Sequence, residues 1–349
     1  NTDVVANVVQ CLFTDGYFLV LSADGTLQWS VLADFVAKVP VTWDPLDVAQ
    51  RSTMADPWIG MTLLHREVRL FGSDSAEAWI DTGDALQPFQ LVQGSVNEVG
   101  TASISSLAII GNSVMFVGRN VQGFGIVWRA CGYIPERVSN HSVEAALAQS
   151  GDIAASRAMV IQQAGHTFYL LRIPDLDQTW VYDLATGLWH EECWIDSNGI
   201  EHRHRASCAA NAYGKVYCGD WENGFLMSMD LDWYQDVEDP IVYRRGFRHL
   251  VKGANKVTYQ KLVLSATPGQ AEGRLTTDQP QVYLRWSDSQ GYSWGDPVAA
   301  TPGSTGQYDE WATWWQLGTA RDRVFEVFWS LPFQVSISGA YIDYQTADS

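Results

Sequence analysis

Long apolar runs are absent from this sequence of 349 residues, and no signal peptide is visible in it. No window approaches the roughly 18 apolar residues that a membrane-spanning helix needs, and no basic stretch followed by an apolar one marks a signal peptide. The sequence therefore predicts no transmembrane segment. It begins at Asn1, without methionine and directly before a predicted strand, so we expect further residues upstream in the full protein.

Cysteine is scarce. The five cysteines are scattered and odd in number, which does not suit a disulfide framework. We interpret them as buried thiols of a protein kept in a reducing compartment. They are Cys11, Cys131, Cys193, Cys208 and Cys218.

The motifs of common enzyme classes are missing as well. The sequence has no glycine-rich dinucleotide loop and no phosphate-binding loop. Gly72-Ser73-Asp74-Ser75 is a short turn and not a nucleophile elbow. We therefore predict that the chain is not an enzyme, with no catalytic residues, no cofactor and no metal site.

Two clusters of potential metal ligands have simpler interpretations. His202 and His204 share one face of a predicted strand near Cys193 and Cys208, but no CxxC pair supports zinc, and the neighbouring arginines indicate a solvated strand. A group of carboxylates lacks the spacing of a calcium loop and is predicted to be a solvated loop. These carboxylates are Asp230, Asp232, Asp236, Glu238 and Asp239.

Basic residues are few. The chain has 40 acidic and 22 basic residues, which give a formal net charge of −18. A surface this acidic repels phosphate, so tight wrapping of nucleic acid is not expected. The charge is compatible with the wall of a channel through which DNA slides without adhering.

Aromatic and β-branched residues are abundant and recur in short runs between tight turns, with 16 Trp and 14 Tyr in the chain. This pattern predicts antiparallel hairpins, most clearly over residues 157–194. The first turns of successive units fall near residues 16, 66, 111, 165 and 214, at intervals of about 50 residues. A repeat of this length is typical of the blades of a β-propeller.

The predicted fold is all-β, a β-propeller of roughly 50-residue antiparallel blades followed by a β-sandwich-like C-terminal domain. The blades are expected over residues 1–240, with a short helix inserted at 142–150, and the second domain over 241–349. The sign of the charge reverses at this boundary.

The basic segment after the boundary has three interpretations: a solvated face, a contact with an acidic neighbouring subunit, or a phosphate contact. Because the rest of the chain is acidic and complementary charge steers assembly, we favour the subunit contact. The candidate contact residues are Arg244, Arg245, Arg248, Lys252 and Lys256.

Residues 287–294 resemble the Asp-box turn of sialidases and other propellers, with Ser289 where the family has Asp and Asp288 one place early. In that family the box is a structural turn and not the active site. Because of the resemblance, the alternative function is a glycan-binding or sialidase-like propeller, acting as a host-surface adhesin or glycosidase.

Several short motifs, in the same order along the chain, resemble the packaged-DNA stabilisation proteins of short-tailed phages, also called tail accessory factors. The first comprises Trp58, the Phe71-Gly72-Ser73 turn and Glu77-Ala78-Trp79. The others are residues 137–139 with Glu144, 181–183, 218–230, 264–266, the turn at Gly291, and 335–339.

This resemblance implies a structural virion protein of the phage tail, made and assembled in the host cytoplasm. It implies a homo-oligomeric ring of six copies, the hub or nozzle, below the portal and its adaptor. The ring would retain packaged DNA, extend the ejection channel and hold the distal tail proteins. Double-stranded DNA would pass through it without sequence-specific contact.

Overall fold

The computed structural model describes residues 3–36, 41–119, 122–123, 125–253, 255–266, 280–304 and 306–346. Most of these residues form antiparallel strands, which confirms the predicted all-β class. The chain divides into two compact units, Asn1–Cys193 with His202–Ser228, and Trp194–Glu201 with Met229–Ser349. The domain boundary expected near residue 240 stays a prediction.

The first unit is a succession of small antiparallel sheets, each made of consecutive strands. The first sheet contains β1 (Val8–Thr14), β2 (Tyr17–Ser22), β3 (Leu27–Ser30) and β4 (Trp43–Ala49). The second contains β5 (Gly60–Leu64), β6 (Glu67–Phe71), β7 (Ala76–Asp81) and β8 (Phe89–Leu91). The third contains β9 (Ala108–Ile110), β10 (Ser113–Arg119), β11 (Gly125–Ala130) and β12 (Glu136–Arg137).

The fourth sheet follows a helix, α1 (His141–Gln149), and contains β13 (Arg157–Gln163), β14 (His166–Ile173), β15 (Gln178–Asp183) and β16 (Leu188–Glu191). Two short strands, β17 (Cys193–Ile195) and β18 (Glu201–Arg203), lie where the chain divides between the units. The fifth sheet contains β19 (Ala206–Ala212), β20 (Lys215–Asp220) and β21 (Leu226–Met229).

The predicted turns near residues 16, 66, 111, 165 and 214 each join the first two strands of one of these five sheets. In the fourth sheet the turn residues are Ala164 and Gly165, with φ of 51° and 83°. Positive φ at both central residues gives the turn a twist that matches the twist of the flanking strands. The repeat of turns along the sequence therefore corresponds to a repeat of sheets.

The two faces of a sheet pack against different neighbours. In β6, Leu70 belongs to an apolar core shared with the first sheet, whereas Phe71 belongs to one shared with the third. In β10, Val114 and Phe116 pack toward the second sheet, whereas Met115 packs toward the fourth. Because successive side chains of a strand point to opposite faces, sheets two and three are each covered on both sides.

Helix α1 covers part of the core between the third and fourth sheets. Its N-cap is Asn140, whose side-chain oxygen accepts a hydrogen bond from the backbone N–H of Val143 (3.0 Å). Val143 and Leu147 are fully buried in that core. The helix was expected at 142–150 and lies one residue earlier. No helix among the described residues is long and apolar enough to span a membrane.

In the second unit, two larger sheets enclose one core. The strands of this unit are β22 (Gln235–Asp236), β23 (Asp239–Pro240), β24 (Tyr243–Gly246), β25 (Leu250–Val251), β26 (Val257–Ala266), β27 (Val282–Ser287), β28 (Val298–Ala300), β29 (Ala312–Ala320), β30 (Asp322–Trp329) and β31 (Ile337–Thr346). One of the larger sheets has the order β24-β30-β27-β28, with β25 also paired to β30, and the other the order β29-β26-β31, while β22 pairs with β23 in a separate two-stranded sheet. Leu264 and Trp314 of one sheet pack with Leu284 and Phe325 of the other. Two sheets that share a core in this way form a sandwich.

The expectation of buried thiols is wrong for four of the five cysteines, because only Cys218 is buried. Strand alternation explains the contrast in the fifth sheet. Cys218 and Val216 are buried in β20, whereas Cys208 of the paired strand β19 is exposed. A cysteine count therefore does not indicate which face of a strand each thiol occupies.

The turn at Ala164 generates a stability prediction. An alanine at positive φ is strained, and Asn-Gly is the preferred pair for this turn type. We expect Ala164→Asn to raise the free energy of unfolding by about 1 kcal/mol and Ala164→Val to lower it by about the same amount. Urea unfolding checks both, and equal stability of the two variants would contradict the assigned turn geometry.

Candidate functional site

Glu77 is the centre of a buried polar network in the second sheet. Its side chain accepts hydrogen bonds from the indole N–H groups of Trp58 (3.2 Å) and Trp79 (2.8 Å). Its second oxygen lies 3.4 Å from Nε of Arg51, which is also buried, and accepts a hydrogen bond from the hydroxyl of Thr53. The Glu-x-Trp motif thus joins strand β7 to the chain segment that precedes the sheet.

The Phe71-Gly72-Ser73 turn is built on Asp56. The carboxylate of Asp56 accepts hydrogen bonds from the hydroxyl of Ser75 (2.6 Å) and the backbone N–H of Asp74 (3.0 Å), and it pairs with Arg51 (3.0 Å). A Cβ at Gly72 would lie 2.1 Å from this carboxylate, so a larger residue would displace the Asp56 side chain that holds the turn. Burial raises the pKa of Asp56, but these hydrogen bonds and the arginine outweigh it and hold the pKa below its usual range.

Carboxylates also organise the turns that follow later strands. Asp183, at the end of β15, accepts from His166 Nδ1, from the backbone N–H of Ala185 and from the Thr186 hydroxyl, each at 2.9 Å. Asp220, at the end of β20, is buried and pairs with the buried Arg205. These contacts hold hairpins in place, so the motif residues in this unit have structural roles.

The cations of the basic segment are exposed, but they differ in whether they form ion pairs within the chain. Arg244 forms ion pairs within its own unit, with Glu201 and Glu326. Arg245 and Arg248 are exposed, and no carboxylate of the described residues lies within ion-pair distance of either. Lys252 is exposed, with Nζ 5.2 Å from the ring centroid of Tyr344.

Lys256 is likewise exposed. Arg244 and Arg245 lie on β24, an edge strand of its sheet. The structure therefore gives Arg244 an intramolecular role and leaves the other four candidates accessible. Their contact with another subunit stays a prediction.

The two histidines near Cys193 and Cys208 in the sequence have partners other than a metal. His202 Nδ1 lies 2.7 Å from a carboxylate oxygen of Asp177, and His204 Nδ1 accepts from the backbone N–H of Ala206 (3.1 Å). The guanidinium of Arg203 lies 3.9 Å from the ring centroid of Trp221. The described part of the chain contains no group of three or more metal-ligating side chains.

The acidic stretch forms local turns. Asp230 Oδ1 accepts from the backbone N–H of Asp232 (3.0 Å), and Asp239 accepts from the indole N–H of Trp194 (3.0 Å). Leu231 and Trp233 are 59% and 62% exposed. The two apolar side chains were not predicted as functional from sequence, although their placement between carboxylates in a loop was a signal for it.

In the Asp-box-like turn at 287–294, Ser289 and Asp288 make different contacts. The hydroxyl of Ser289 accepts from the backbone N–H of Ser293 (2.8 Å), which closes the turn. Asp288 instead pairs with Arg323, with Oδ1 2.6 Å from Nε. The turn therefore has a structural explanation.

The match to a family model decides the assignment. Residues 2–234 match the model described as bacteriophage P22 Gp10, beta-propeller, a phage stabilisation family. The chain belongs to this family. Membership supports a phage virion protein that stabilises packaged DNA, and the description confirms the predicted β-propeller. The resemblance of residues 264–339 to the family's C-terminal part lies outside the match and stays a prediction.

Other comparisons are weaker. No curated protein matches the chain. Among solved structures, the extracellular domain of a one-component system from B. thetaiotaomicron is 10% identical, with a TM-score of 0.39 over 86% of this chain and 35% of the other. Hsv2 of Kluyvelomyces marxianus is 8% identical, with a TM-score of 0.32 over 62% of each chain. This chain thus spans less than two thirds of either protein.

A glycoside hydrolase family 43 arabinoxylan arabinofuranohydrolase from Bacillus subtilis is 11% identical, with a TM-score of 0.25 over 97% of this chain and 78% of the other. Likenesses at these TM-scores carry no functional information. The family match is therefore the finding on which the assignment depends.

The pair of Asp220 and Arg205 generates a pH prediction. Burial raises the pKa of Asp220, but hydrogen bonds from Arg205 and from the backbone N–H groups of Glu222 and Asn223 outweigh it and lower the pKa. A carboxyl group whose pKa is lower in the folded state stabilises that state at pH values above its unfolded pKa of about 3.9. This stabilisation is lost as the pH falls through the folded pKa.

We therefore expect Asp220→Asn to lower the free energy of unfolding of the first unit by about 3 kcal/mol at pH 7, because it removes the counter-charge of a buried arginine. The variant should also lose part of the decline in stability below about pH 4. Denaturant unfolding at several pH values measures both effects. Asp152→Asn, at an exposed position, is the control, and an unchanged acid profile in Asp220→Asn would contradict the linkage.

Proposed function

We propose that the chain is a subunit of a ring in the tail of a short-tailed phage, the hub or nozzle below the portal and its adaptor. The ring retains packaged DNA and extends the channel for ejection. The observation that carries this proposal is the family match over residues 2–234, which covers the succession of stacked sheets. We expect six copies in the ring, further contacts with distal tail proteins, and assembly in the host cytoplasm.

The proposed role needs a rigid subunit with little affinity for DNA. Sheets that are packed on both faces provide rigidity, and buried ion pairs such as that of Glu77 with Arg51 fix the connections between strands. The net charge of −18 repels the phosphate backbone, so DNA can move along the protein without adhering. Retention would then depend on the shape of the assembled channel.

A structural role agrees with the contacts of the motif residues, each of which holds a turn or a strand end. The alternative, a glycan-binding or sialidase-like propeller, depended on the turn at 287–294. Since Asp288 and Ser289 of that turn make structural contacts, we place this alternative second.

The first test concerns retention of the genome. Phage assembled without this chain should package DNA and then lose it, because the exit from the portal is not closed. Nuclease-protected DNA in purified capsids measures the loss, and supplying the intact chain should restore protection. Capsids that keep their DNA and remain infectious without the chain would contradict the proposal.

The second test concerns the basic segment. We expect Arg245→Glu with Arg248→Glu to leave the subunit folded and to reduce its incorporation into tails at least tenfold. Each exposed pair contributes at most about 1 kcal/mol, but reversal at both positions turns attraction into repulsion in every contact of a ring. Arg244 is left unchanged because its pairs are intramolecular.

Circular dichroism reports folding in this second test, and protein analysis of purified virions reports incorporation. Lys215→Glu, which reverses an exposed cation of the first unit, is the control. Normal incorporation of the double variant would place both arginines on a solvated face.

A further inference from the structure

A cleft of about 260 Å³ opens in the second unit between β25 and β31. Its walls are mainly apolar, and three of the lining residues are accessible: Val251 is 55% exposed, Tyr344 is 45% exposed, and Lys252 is exposed as well. We call this cleft the basic groove. It is lined by Leu250, Val251, Lys252, Val257, Tyr259, Ile342 and Tyr344.

The groove has a cationic rim. Lys252 lines the groove and lies against Tyr344, while Lys256, which precedes Val257 in the sequence, and Arg248, two residues before Leu250, are exposed. Residues 244–261 contain no carboxylate.

Carboxylates also lie near the groove. Asp322, opposite Val251 in the sheet, is 2.9 Å from His249 Nδ1. Asp343 of β31 is opposite Lys261 of β26, and Asp288, which acts electrostatically on Tyr259, pairs with Arg323. The segment 244–261 is therefore positive in a chain that is otherwise strongly acidic.

The same unit also presents an acidic turn, residues 230–233. The backbone N–H of Trp233 donates to the carbonyl of Asp230 (3.2 Å), and that of Asp232 donates to the Asp230 carboxylate (3.0 Å). This turn holds Leu231 and Trp233 exposed between carboxylates. Residues 229–240 contain five acidic residues and no basic one.

We propose that the acidic turn of one copy docks into the basic groove of the next copy. Trp233 enters the cleft and Leu231 packs at its edge, while Asp230 and Asp232 face Lys252 and Lys256. This inference rests on the proposed function, in that it assumes that the chain assembles with itself.

Three features support this pairing. The charges of the turn and the groove are complementary, which steers encounter and excludes wrong partners. The cleft is smaller than typical small-molecule pockets of about 300–1,000 Å³, so it suits a single large side chain, and tryptophan is enriched at the energetic centres of interfaces. Leu231 and Trp233 are exposed within their own chain, so they do not fill its groove.

The contact is compatible with a ring. The turn and the groove are different surfaces of one subunit, so each copy can give its turn to one neighbour and its groove to another, and such heterologous contacts generate rings when the rotation between copies closes. A symmetric dimer would instead place the turn of each copy in the groove of the other.

The test uses full-length variants with reversed charges, which are supplied to phage that lack the gene for this chain. One variant carries Lys252→Glu and Lys256→Glu, and the other carries Asp230→Lys and Asp232→Lys. Each alone should be incorporated into virions at least tenfold less than the unmodified chain. When both are produced in one cell, incorporation should recover, because every contact between unlike copies pairs opposite charges, either native or reversed.

Trp233→Ala should also reduce incorporation at least tenfold. Trp311→Ala, at a residue of the same unit that is 50% exposed, is the matched control and should not. Circular dichroism establishes that each variant is folded.

The outcomes separate the two proposals. If the unmodified chain is absent from tails, the proposed function itself fails. If it is present and the paired variants are incorporated no better together than alone, the docking contact is wrong while the ring stands. Normal incorporation of either reversed variant alone would also overturn the contact.

Discussion

A sheet of about four short strands has two faces, and a unit of about 50 residues cannot bury both of them by itself. In this chain the neighbours supply the cover. Leu70 and Phe71 are adjacent in β6, yet one packs toward the first sheet and the other toward the third. Burial of each sheet therefore depends on the sheets before and after it, which is why the repeat persists along the chain.

Buried ion pairs hold the turns and connecting segments between strands, which the packing of sheet faces does not fix. Glu77 and Arg51 join a strand to the preceding segment, and Asp220 with Arg205 holds the end of a hairpin. Such pairs add little net stability compared with apolar replacements, but loss of one partner is costly. They thus favour one arrangement of the turns, which suits a subunit whose function depends on its shape.

Local chemistry made much of the fold predictable. Turn pairs such as Ala164-Gly165 and the hairpins over residues 157–194 depend on nearby residues, and both were located closely from sequence. Tertiary features were not. The exposure of Cys208, the intramolecular pairs of Arg244 and the groove at Tyr344 depend on residues distant in the chain, and no local pattern specifies them. The motif residues of the family, such as Gly72, make close contacts within one turn or strand pair, so their pattern is visible in the sequence.

The position of the chain in the phage tests the account most directly. A density map of intact virions by electron cryomicroscopy should contain this fold as a closed ring around the DNA channel, directly below the portal and its adaptor. Copies that are absent from the tail, or that lie away from the channel without contact with one another, would contradict the central claim.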